Sequence, residues 1–197
     1  MENLSHKFKN KKSGVYFFKS SSPFEFYHIL NNINLEPKEE IFGTLIFPEN
    51  AKTPCPLVIP IHGSAGLRGN HHDHIVNLLE AGIAVFRIHS FESRGIISIV
   101  ENQMAVTLAT MITDAFRGLS LMSQHPDIDS NKIGIMGWSL GGSTAFYSAW
   151  KPIIKALTQG GEKFSAHLPL YPGTHIKPNI NEWSDAPMHI LCGRDDD

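Results

Sequence analysis

Short apolar runs alternate with amphipathic stretches along most of the chain, and this alternation is typical of a sheet with helices on its faces. Several short, mostly apolar runs are bounded by turn residues, so each predicts a buried strand. The predicted strands are residues 57–61, 83–88, 133–136, 165–171 and 188–192. The pattern therefore predicts a fold of the α/β class.

The clearest helical pattern begins at Met104 and ends at His125-Pro126. Apolar residues recur there at steps of three and four, and a proline cannot continue the helix. We interpret the methionines of this helix as core packing. A second helix is predicted over residues 72–80. Nearer the N-terminus, residues 24–30 and 41–47 are aromatic and β-branched, so we predict that they form an opening pair of strands.

Composition narrows the class of protein. The 197 residues include 17 Lys and Arg against 19 Asp and Glu, a formal net charge of -2, and 42% hydrophobic residues. One domain of this size can bury a large core. We assign residues 23–197 to it and treat residues 1–22 as an N-terminal extension. The near-neutral charge gives little electrostatic reason to expect nucleic acid as a partner.

Cysteine usage and the absence of long apolar segments bear on cellular location. Cys55 and Cys192 cannot build a disulfide framework, so we predict two free thiols, which fit a reducing compartment. No stretch approaches the ~20 apolar residues that a membrane span needs. The apolar patch at residues 15–18 is too short for a secretory signal. We therefore predict a cytoplasmic protein with no membrane partner.

A candidate nucleophile lies between the predicted strand 133–136 and the helix that follows it. The sequence there is Gly137-Trp138-Ser139-Leu140-Gly141-Gly142, a G-x-S-x-G motif in a strand-turn-helix context. A nucleophilic serine has to project from a strained turn, and the flanking glycines let the backbone bend without a Cβ clash. The following helix N-terminus offers amide donors to an oxyanion. We therefore predict that Ser139 forms an acyl-enzyme.

Acyl transfer also needs a second amide donor from a loop after an earlier strand of the same sheet. The segment His62-Gly63-Ser64-Ala65-Gly66 follows the predicted strand 57–61, and its glycines allow N–H groups to point inward. We predict that the amide of Ser64 or Ala65 forms an oxyanion hole together with the amide of Leu140. His62 is interpreted as a structural hydrogen-bonding residue beneath this loop.

These residues resemble the dienelactone hydrolase family of α/β-hydrolases over most of the chain from residue 41 onward. The motifs that carry the resemblance are His62-Gly63-Ser64-Ala65-Gly66, Ser90-Phe91 with Arg94-Gly95, His125-Pro126 with Asp129, and Gly137-Trp138-Ser139-Leu140-Gly141-Gly142. The resemblance implies a mostly parallel, eight-stranded sheet with helices on both faces. It also implies a cofactor-independent triad that hydrolyses esters or lactones. Founding members carry cysteine at the elbow, so Ser139 favours a general esterase.

The resemblance also implies an acid in a pattern of glycine, two residues and aspartate. Gly193-Arg194-Asp195-Asp196 matches that pattern, so Asp196 is the predicted acid and Asp195 the alternative. In this fold the triad histidine follows the acid, and no histidine follows Asp196. We therefore expect a C-terminally incomplete chain that lacks the last strand, the last helix and the triad base, and that is inactive or weakly active.

Several other polar residues allow more than one interpretation. Arg94 could bind a substrate carboxylate or simply fix its own loop. His175 and His89 follow predicted strands, so either could line the pocket or, less favourably, replace the missing base. The sequence His71-His72-Asp73-His74 could supply metal ligands, but neighbouring helical residues diverge, so we predict a polar helix start and no metal.

Two functions remain open from the sequence, with a peptidase as a weaker third. The first is a serine hydrolase that acts on a small-molecule carboxylic ester or lactone without a cofactor. The second is a catalytically dead scaffold or binding module that keeps the same fold.

Overall fold

Six strands form one mixed sheet in the part of the chain that the structure, a computed structural model, describes: residues 13–33, 35–158 and 161–196. They are β1 (Gly14–Ser20), β2 (Glu39–Ile46), β3 (Cys55–Ile61), β4 (Ala84–Ile88), β5 (Ile128–Trp138) and β6 (Ala166–Leu170). Their order is β1-β2-β4-β3-β5-β6. The last four strands in this order are parallel, so their carboxyl ends meet at one edge, whereas β1 and β2 pair antiparallel.

Helices connect the strands and cover both faces of the sheet. They are α1 (Phe26–Leu30), α2 (Gly69–Glu80), α3 (Leu108–Met122), α4 (Leu140–Tyr147) and α5 (Lys151–Leu157). A 3-10 turn, Glu92–Arg94, follows β4. Within the described ranges, no helix is both long enough and apolar enough to cross a membrane.

The apolar core divides into two clusters because successive side chains of a strand point to opposite faces. Ile59 and Ile135 belong to the large cluster, which contains the buried side chains of α3. Met136 belongs to a smaller cluster, against which Val58 of β3 and Leu78 of α2 pack. The sheet is therefore a middle layer between α2 and the other helices, and its carboxyl edge stays open for a site.

The structure confirms the main strand and helix predictions with shifted ends. The predicted strands 57–61, 83–88, 133–136 and 165–171 correspond to β3, β4, β5 and β6, and the predicted helix 72–80 lies within α2. The long helix begins later than predicted, because Thr107 accepts a hydrogen bond from the amide of Thr110 and ends the preceding loop there. Met104 is outside the helix and 61% exposed, so it is not core packing.

The prediction of a strand over residues 24–30 is wrong. Phe26–Leu30 is a short helix in which Ile29 is fully buried. The ring of Phe26 lies 5.2 Å from that of Tyr147 and 6.2 Å from that of Trp150, measured between centroids. Aromatic residues favour strands because strands half-bury them, and packing against α4 and α5 gives a helix the same burial.

The partner of β2 is β1, which lies inside the segment predicted to be an N-terminal extension. Its buried residues Tyr16 and Phe18 alternate with the exposed Val15 and Phe17, which is the period of a strand. Residues 14–20 therefore belong to the sheet. Residues 1–12 lie outside the described part of the chain.

The predicted strand 188–192 is present as two parallel bridges to β6 rather than as a full strand. Met188 is bridged to His167 and Leu191 to Leu170. The amide of Leu191 donates to the carbonyl of Pro169 at 3.0 Å. This pairing places the segment that follows it, Gly193-Arg194-Asp195-Asp196, just beyond the carboxyl edge of the sheet.

Candidate active site

Ser139 occupies a strained turn between the end of β5 and the start of α4. Its backbone has φ 54° and ψ -114°, a conformation that is costly for a residue with a Cβ. The residue is exposed, and its amide donates to the carbonyl of Leu170 at 3.0 Å. The turn thus presents the Ser139 side chain at the carboxyl edge of β5 and β6.

Glycines make this turn possible because a side chain at their positions would clash with neighbouring backbone atoms. A Cβ at Gly137 would lie 2.1 Å from the carbonyl oxygen of Gly141. A Cβ at Gly141 would lie 2.0 Å from the carbonyl oxygen of Ile61, and one at Gly142 would lie 2.4 Å from that of Leu170. These glycines let α4 start in contact with the ends of β3 and β6, so the helix N-terminus points toward Ser139.

The turn after β3 lies directly against Ser139. A Cβ at Gly63 would be 3.4 Å from the Cβ of Ser139 and 3.1 Å from the carbonyl oxygen of Trp138. The amide of Gly66, which has φ 77°, closes the turn by donating to the carbonyl of Gly63 at 3.0 Å. Among the described residues, no hydrogen bond occupies the amide of Ser64 or Ala65. These two amides therefore remain available near the serine.

Helix α4 also holds the loop that follows β6. The Ser143 hydroxyl accepts from the amide of Gly173 at 2.8 Å and lies 3.0 Å from its carbonyl oxygen, to which it can donate. One turn further along α4, the Tyr147 hydroxyl accepts from the amide of Ile176 at 3.0 Å and donates to its carbonyl at 2.9 Å. Ser139 and this loop are therefore attached to one helix.

His175 lies on the same loop, between the two points that α4 holds. It is exposed, and its Nδ1 atom is 3.4 Å from the position of a Cβ at Gly173. Tyr171, at the start of the loop, has a positive φ of 38° and is 44% exposed. Since Tyr171 follows Leu170, whose carbonyl accepts from the amide of Ser139, the loop begins beside Ser139.

His62 is buried beneath the turn after β3. Its Nδ1–H donates to the carbonyl of Gly63 at 3.0 Å, and burial lowers its pKa, so the neutral ring is favoured. Its ring packs edge-on against Phe91 at 4.3 Å. In the described part of the chain its Nε2 atom is buried with no hydrogen-bond partner. The contacts match a residue that supports the turn.

His71 and His74, at the start of α2, pack against Trp138. His71 is stacked on the ring of Trp138 at 4.3 Å, and His74 lies 5.6 Å from the same ring. The amide of Arg68 donates to Nδ1 of His71 at 2.9 Å, and burial lowers the pKa of His71. In residues 13–33, 35–158 and 161–196, no three His, Cys, Asp or Glu side chains are placed to hold a metal ion.

His89 is engaged away from Ser139. Its Nε2 atom lies 2.9 Å from the hydroxyl of Thr44, and its ring stacks on Phe42 at 4.4 Å. Its Nδ1 atom is 3.4 Å from a carboxylate oxygen of Glu92, and this bond lowers the pKa of Glu92 to about 2. Both ring nitrogens of His89 therefore already have partners.

Arg94 is also held by groups of the protein itself. Its guanidinium makes two bonds, of 2.8 and 3.1 Å, to the fully buried carboxylate of Asp114 and one of 2.9 Å to Glu39. It also donates to the carbonyl of Ser90 at 2.8 Å. These bonds connect the turn after β4 to α3 and β2, which favours the interpretation of Arg94 as a residue that fixes its loop.

The predicted acid lies at the end of the described chain. A carboxylate oxygen of Asp196 accepts from the amide of Gly193 at 2.6 Å, and both Asp195 and Asp196 are exposed. The bond to Gly193 closes a turn that fixes the Asp196 carboxylate beyond β6. Asp195 makes no hydrogen bond among the described residues.

Solved structures with related folds come from hydrolases. A protein from Klebsiella pneumoniae subsp. pneumoniae MGH 78578 assigned as a dienelactone hydrolase has a TM-score of 0.56 at 17% identity, over 91% of this chain and 72% of its own. Esterase Est22 has a TM-score of 0.54 at 20% identity, and the match covers 82% of this chain and 44% of Est22. Est1E from Butyrivibrio proteoclasticus, with ferulic acid bound, has a TM-score of 0.51 at 22% identity, and the match covers 68% of this chain and 49% of Est1E.

These similarities decide the architecture. The chain has the α/β-hydrolase fold. It spans less than two thirds of the length of Est22 and of Est1E. No protein-family model matches the sequence, and no curated protein does so either.

In this α/β-hydrolase fold, the structure brings together Ser139, the turn carrying Ser64 and Ala65, and the first turn of α4 at Leu140. It places His175 on a loop fixed to the same helix. No hydrogen bond joins the Ser139 hydroxyl to a histidine in the described residues. Sequence reasoning missed Ser143 and Tyr147, because their partners lie about thirty positions away and nothing local marks them.

Proposed function

We propose that this protein is a serine hydrolase that acts on carboxylic esters or lactones through an acyl-enzyme on Ser139. The observation that carries the proposal is the strained, exposed Ser139 backbone in contact range of Gly63, with unoccupied amides in the adjoining turn. Strain of this kind persists only where the surrounding structure enforces it, and it concentrates at functional sites. The fold shared with esterases supports the same reaction class.

The proposed reaction has two steps. The Ser139 oxygen attacks the carbonyl carbon of the substrate, and its proton passes to a base, after which the tetrahedral intermediate expels the alcohol, which takes that proton. Water then attacks the acyl-enzyme, releases the acid and restores the serine. The negative charge that develops on the carbonyl oxygen in both steps is stabilised by the amide of Leu140 together with that of Ser64 or Ala65.

We assign the base by chemical type as a neutral imidazole and the acid as Asp196, with Asp195 as the alternative. A carboxylate next to the imidazole fixes its tautomer and stabilises its protonated form. The contacts of His62 and His89 engage them elsewhere, whereas the exposed His175 is on the loop beside Ser139. His175 is therefore the described histidine to test first, as base or as part of the substrate surface.

Hydrolysis of p-nitrophenyl acetate tests the proposal. We expect the protein to accelerate release of p-nitrophenol only weakly, and we expect Ser139→Ala to abolish that acceleration. His175→Ala then separates two roles. A loss of at least a hundredfold identifies the base, whereas a loss of a few fold identifies a surface contact. The matched control is His28→Ala, on α1. No acceleration, together with no fluorophosphonate label on Ser139, would instead favour a scaffold or binding module of the same fold.

The wider functional predictions stay with this proposal. We propose a small-molecule ester as partner, neither nucleic acid nor membrane as a partner, and a cytoplasmic location. The near-neutral composition and the two free thiols support these assignments.

A further inference from the structure

We infer that the loop of residues 96–105 binds the apolar chain of a neutral ester substrate beside the oxyanion turn. The inference rests on the proposed function and adds the chemical class of the substrate. It is carried by the attachment of this loop to the turn and by the side chains that the loop exposes.

The loop is bonded directly to the turn that carries Ser64 and Ala65. The carbonyl of Ser64 accepts from the amide of Ile99 at 2.8 Å and from the hydroxyl of Ser98 at 3.3 Å. The carbonyl oxygen of Ile97 lies 2.8 Å from the position of a Cβ at Gly66. Because Gly63 of the same turn contacts Ser139, the loop adjoins the reaction centre.

The loop has a defined internal structure. Ile99 is 1% exposed and fixes it to the core. The amide of Asn102 donates to the carbonyl of Ile99 at 3.1 Å, and the amide of Met104 donates to the Asn102 side chain at 3.2 Å. These hydrogen bonds therefore fix the backbone positions from which the exposed side chains of the loop project.

About half of the side chains that this loop exposes are apolar, and the large ones among them are Ile97, Val100 and Met104, while Ser98, Glu101, Asn102 and Gln103 are polar. Ile97 is 84% exposed, Val100 60% and Met104 61%, and Glu101 is the single charged residue between positions 96 and 105. A group of exposed apolar residues at a reaction centre marks a ligand surface. On the other side of Ser139, Tyr171 at 44% exposure starts the loop held by α4 and adds aromatic surface.

The bonds that Arg94 makes within the protein favour a neutral substrate. Arg94, the cation that could have paired with a substrate carboxylate, already binds the buried Asp114 through two hydrogen bonds. A carboxylate on a substrate bound to this loop would meet the negative charge of Glu101. A chain of methylene groups loses water on this surface, and full burial of one methylene strengthens binding about fourfold.

Binding to Ser139→Ala tests the inference without turnover. Calorimetric titrations compare methyl octanoate, octyl acetate and methyl butyrate. If the loop contacts the acyl chain, methyl octanoate binds about tenfold more tightly than methyl butyrate. If the loop contacts the alcohol chain, octyl acetate binds about tenfold more tightly than methyl butyrate. Replacing Ile97, Val100 and Met104 by serine in the same background reduces that preference to twofold or less. These side chains are exposed, so the fold tolerates the changes.

The control is Val76→Ser in the same background. Val76 is 49% exposed and lies near Pro56, at the start of β3 and thus at the opposite end of the sheet from Ser139. Val76→Ser should leave the preference for a long-chain ester over methyl butyrate unchanged. Equal binding of all three esters, or a preference that survives the triple substitution, overturns the inference. A loop-dependent preference in a protein that hydrolyses no ester upholds this surface and refutes the proposed function instead.

Discussion

Ser143 and Gly173 are joined through both backbone groups of the glycine, with distances of 2.8 Å to its amide and 3.0 Å to its carbonyl oxygen. Ser143 is one helical turn after Ser139, and its own amide donates to the Ser139 carbonyl at 2.8 Å. One hydroxyl thus connects the helix that begins after Ser139 to the loop that carries His175. Tyr147 repeats the arrangement at Ile176.

Replacing Ser143 by alanine should release this loop. The amide and carbonyl of Gly173 lose their partner, which costs about 1–2 kcal/mol of unfolding free energy. Hydrogen exchange measured by mass spectrometry should show faster exchange over residues 171–176. The control is Ser148→Ala on the same stretch of chain, because that hydroxyl bonds to Thr144 rather than to the loop. Unchanged exchange in Ser143→Ala would refute this role.

Gly141 should tolerate no side chain. In Gly141→Ala the new Cβ would lie 2.0 Å from the carbonyl oxygen of Ile61, so the helix must move away from β3. We expect a loss of about 3 kcal/mol in urea unfolding, together with loss of ester hydrolysis. Gly69→Ala is the matched control in the first turn of α2, where a Cβ meets no atom within 4 Å. Similar stabilities for both variants would contradict the close approach.

The ion pair of Arg94 and Asp114 should be important for stability. Arg94→Met leaves the fully buried Asp114 carboxylate without its partner, and breaking such a pair costs about 3–5 kcal/mol. Lys132→Met removes an exposed pair with Asp129 and should change stability by less than about 1 kcal/mol. Urea unfolding of both variants provides the measurement. A stable Arg94→Met variant that loses only ester binding would return Arg94 to the substrate site.

Stability should fall as the solution becomes acidic below pH 6.5. Burial lowers the pKa of His167 from its ordinary value of 6.5, so the unfolded chain binds a proton there before the folded one does. The contribution of neutral His167 to the free energy of unfolding is complete above pH 6.5 and is lost as the pH falls toward the lowered pKa of His167. His167→Asn keeps a donor for the carbonyl of Ala145, which the Nδ1–H of His167 contacts at 2.9 Å. Unfolding between pH 7.5 and 5 should therefore be less pH-dependent in this variant. An equally steep dependence would assign the effect to other groups, such as His62 and His71.

The sequence predicted the backbone turns that depend on local sterics. A serine between glycines at the end of an apolar run can adopt few backbone conformations, so the strained turn at Ser139 and the turn at Gly63 followed from short motifs. The buried strands were recognisable for a similar reason, because their apolar runs are short and bounded by turn residues.

Features that depend on distant contacts were not predictable. Residues 24–30 have strand composition, but packing of Phe26 against Tyr147 made them helical. The sequence allowed Arg94 to be either a substrate ligand or a residue that fixes its loop, and its bonds to Asp114, on α3, favour the second. The role of Ser143 required knowledge of where Gly173 lies. In each case the deciding partner is twenty or more positions away.

Covalent labelling with a fluorophosphonate, located by peptide mass spectrometry, is the most direct test of a nucleophile at Ser139. Phosphonylation needs an activated serine next to donors for the developing oxyanion, so it probes the elbow and the turn together. We predict one adduct, on Ser139, which is absent in Ser139→Ala and retained in Ser148→Ala. No adduct on Ser139, or equal labelling of Ser139→Ala and the unaltered protein, would contradict the account.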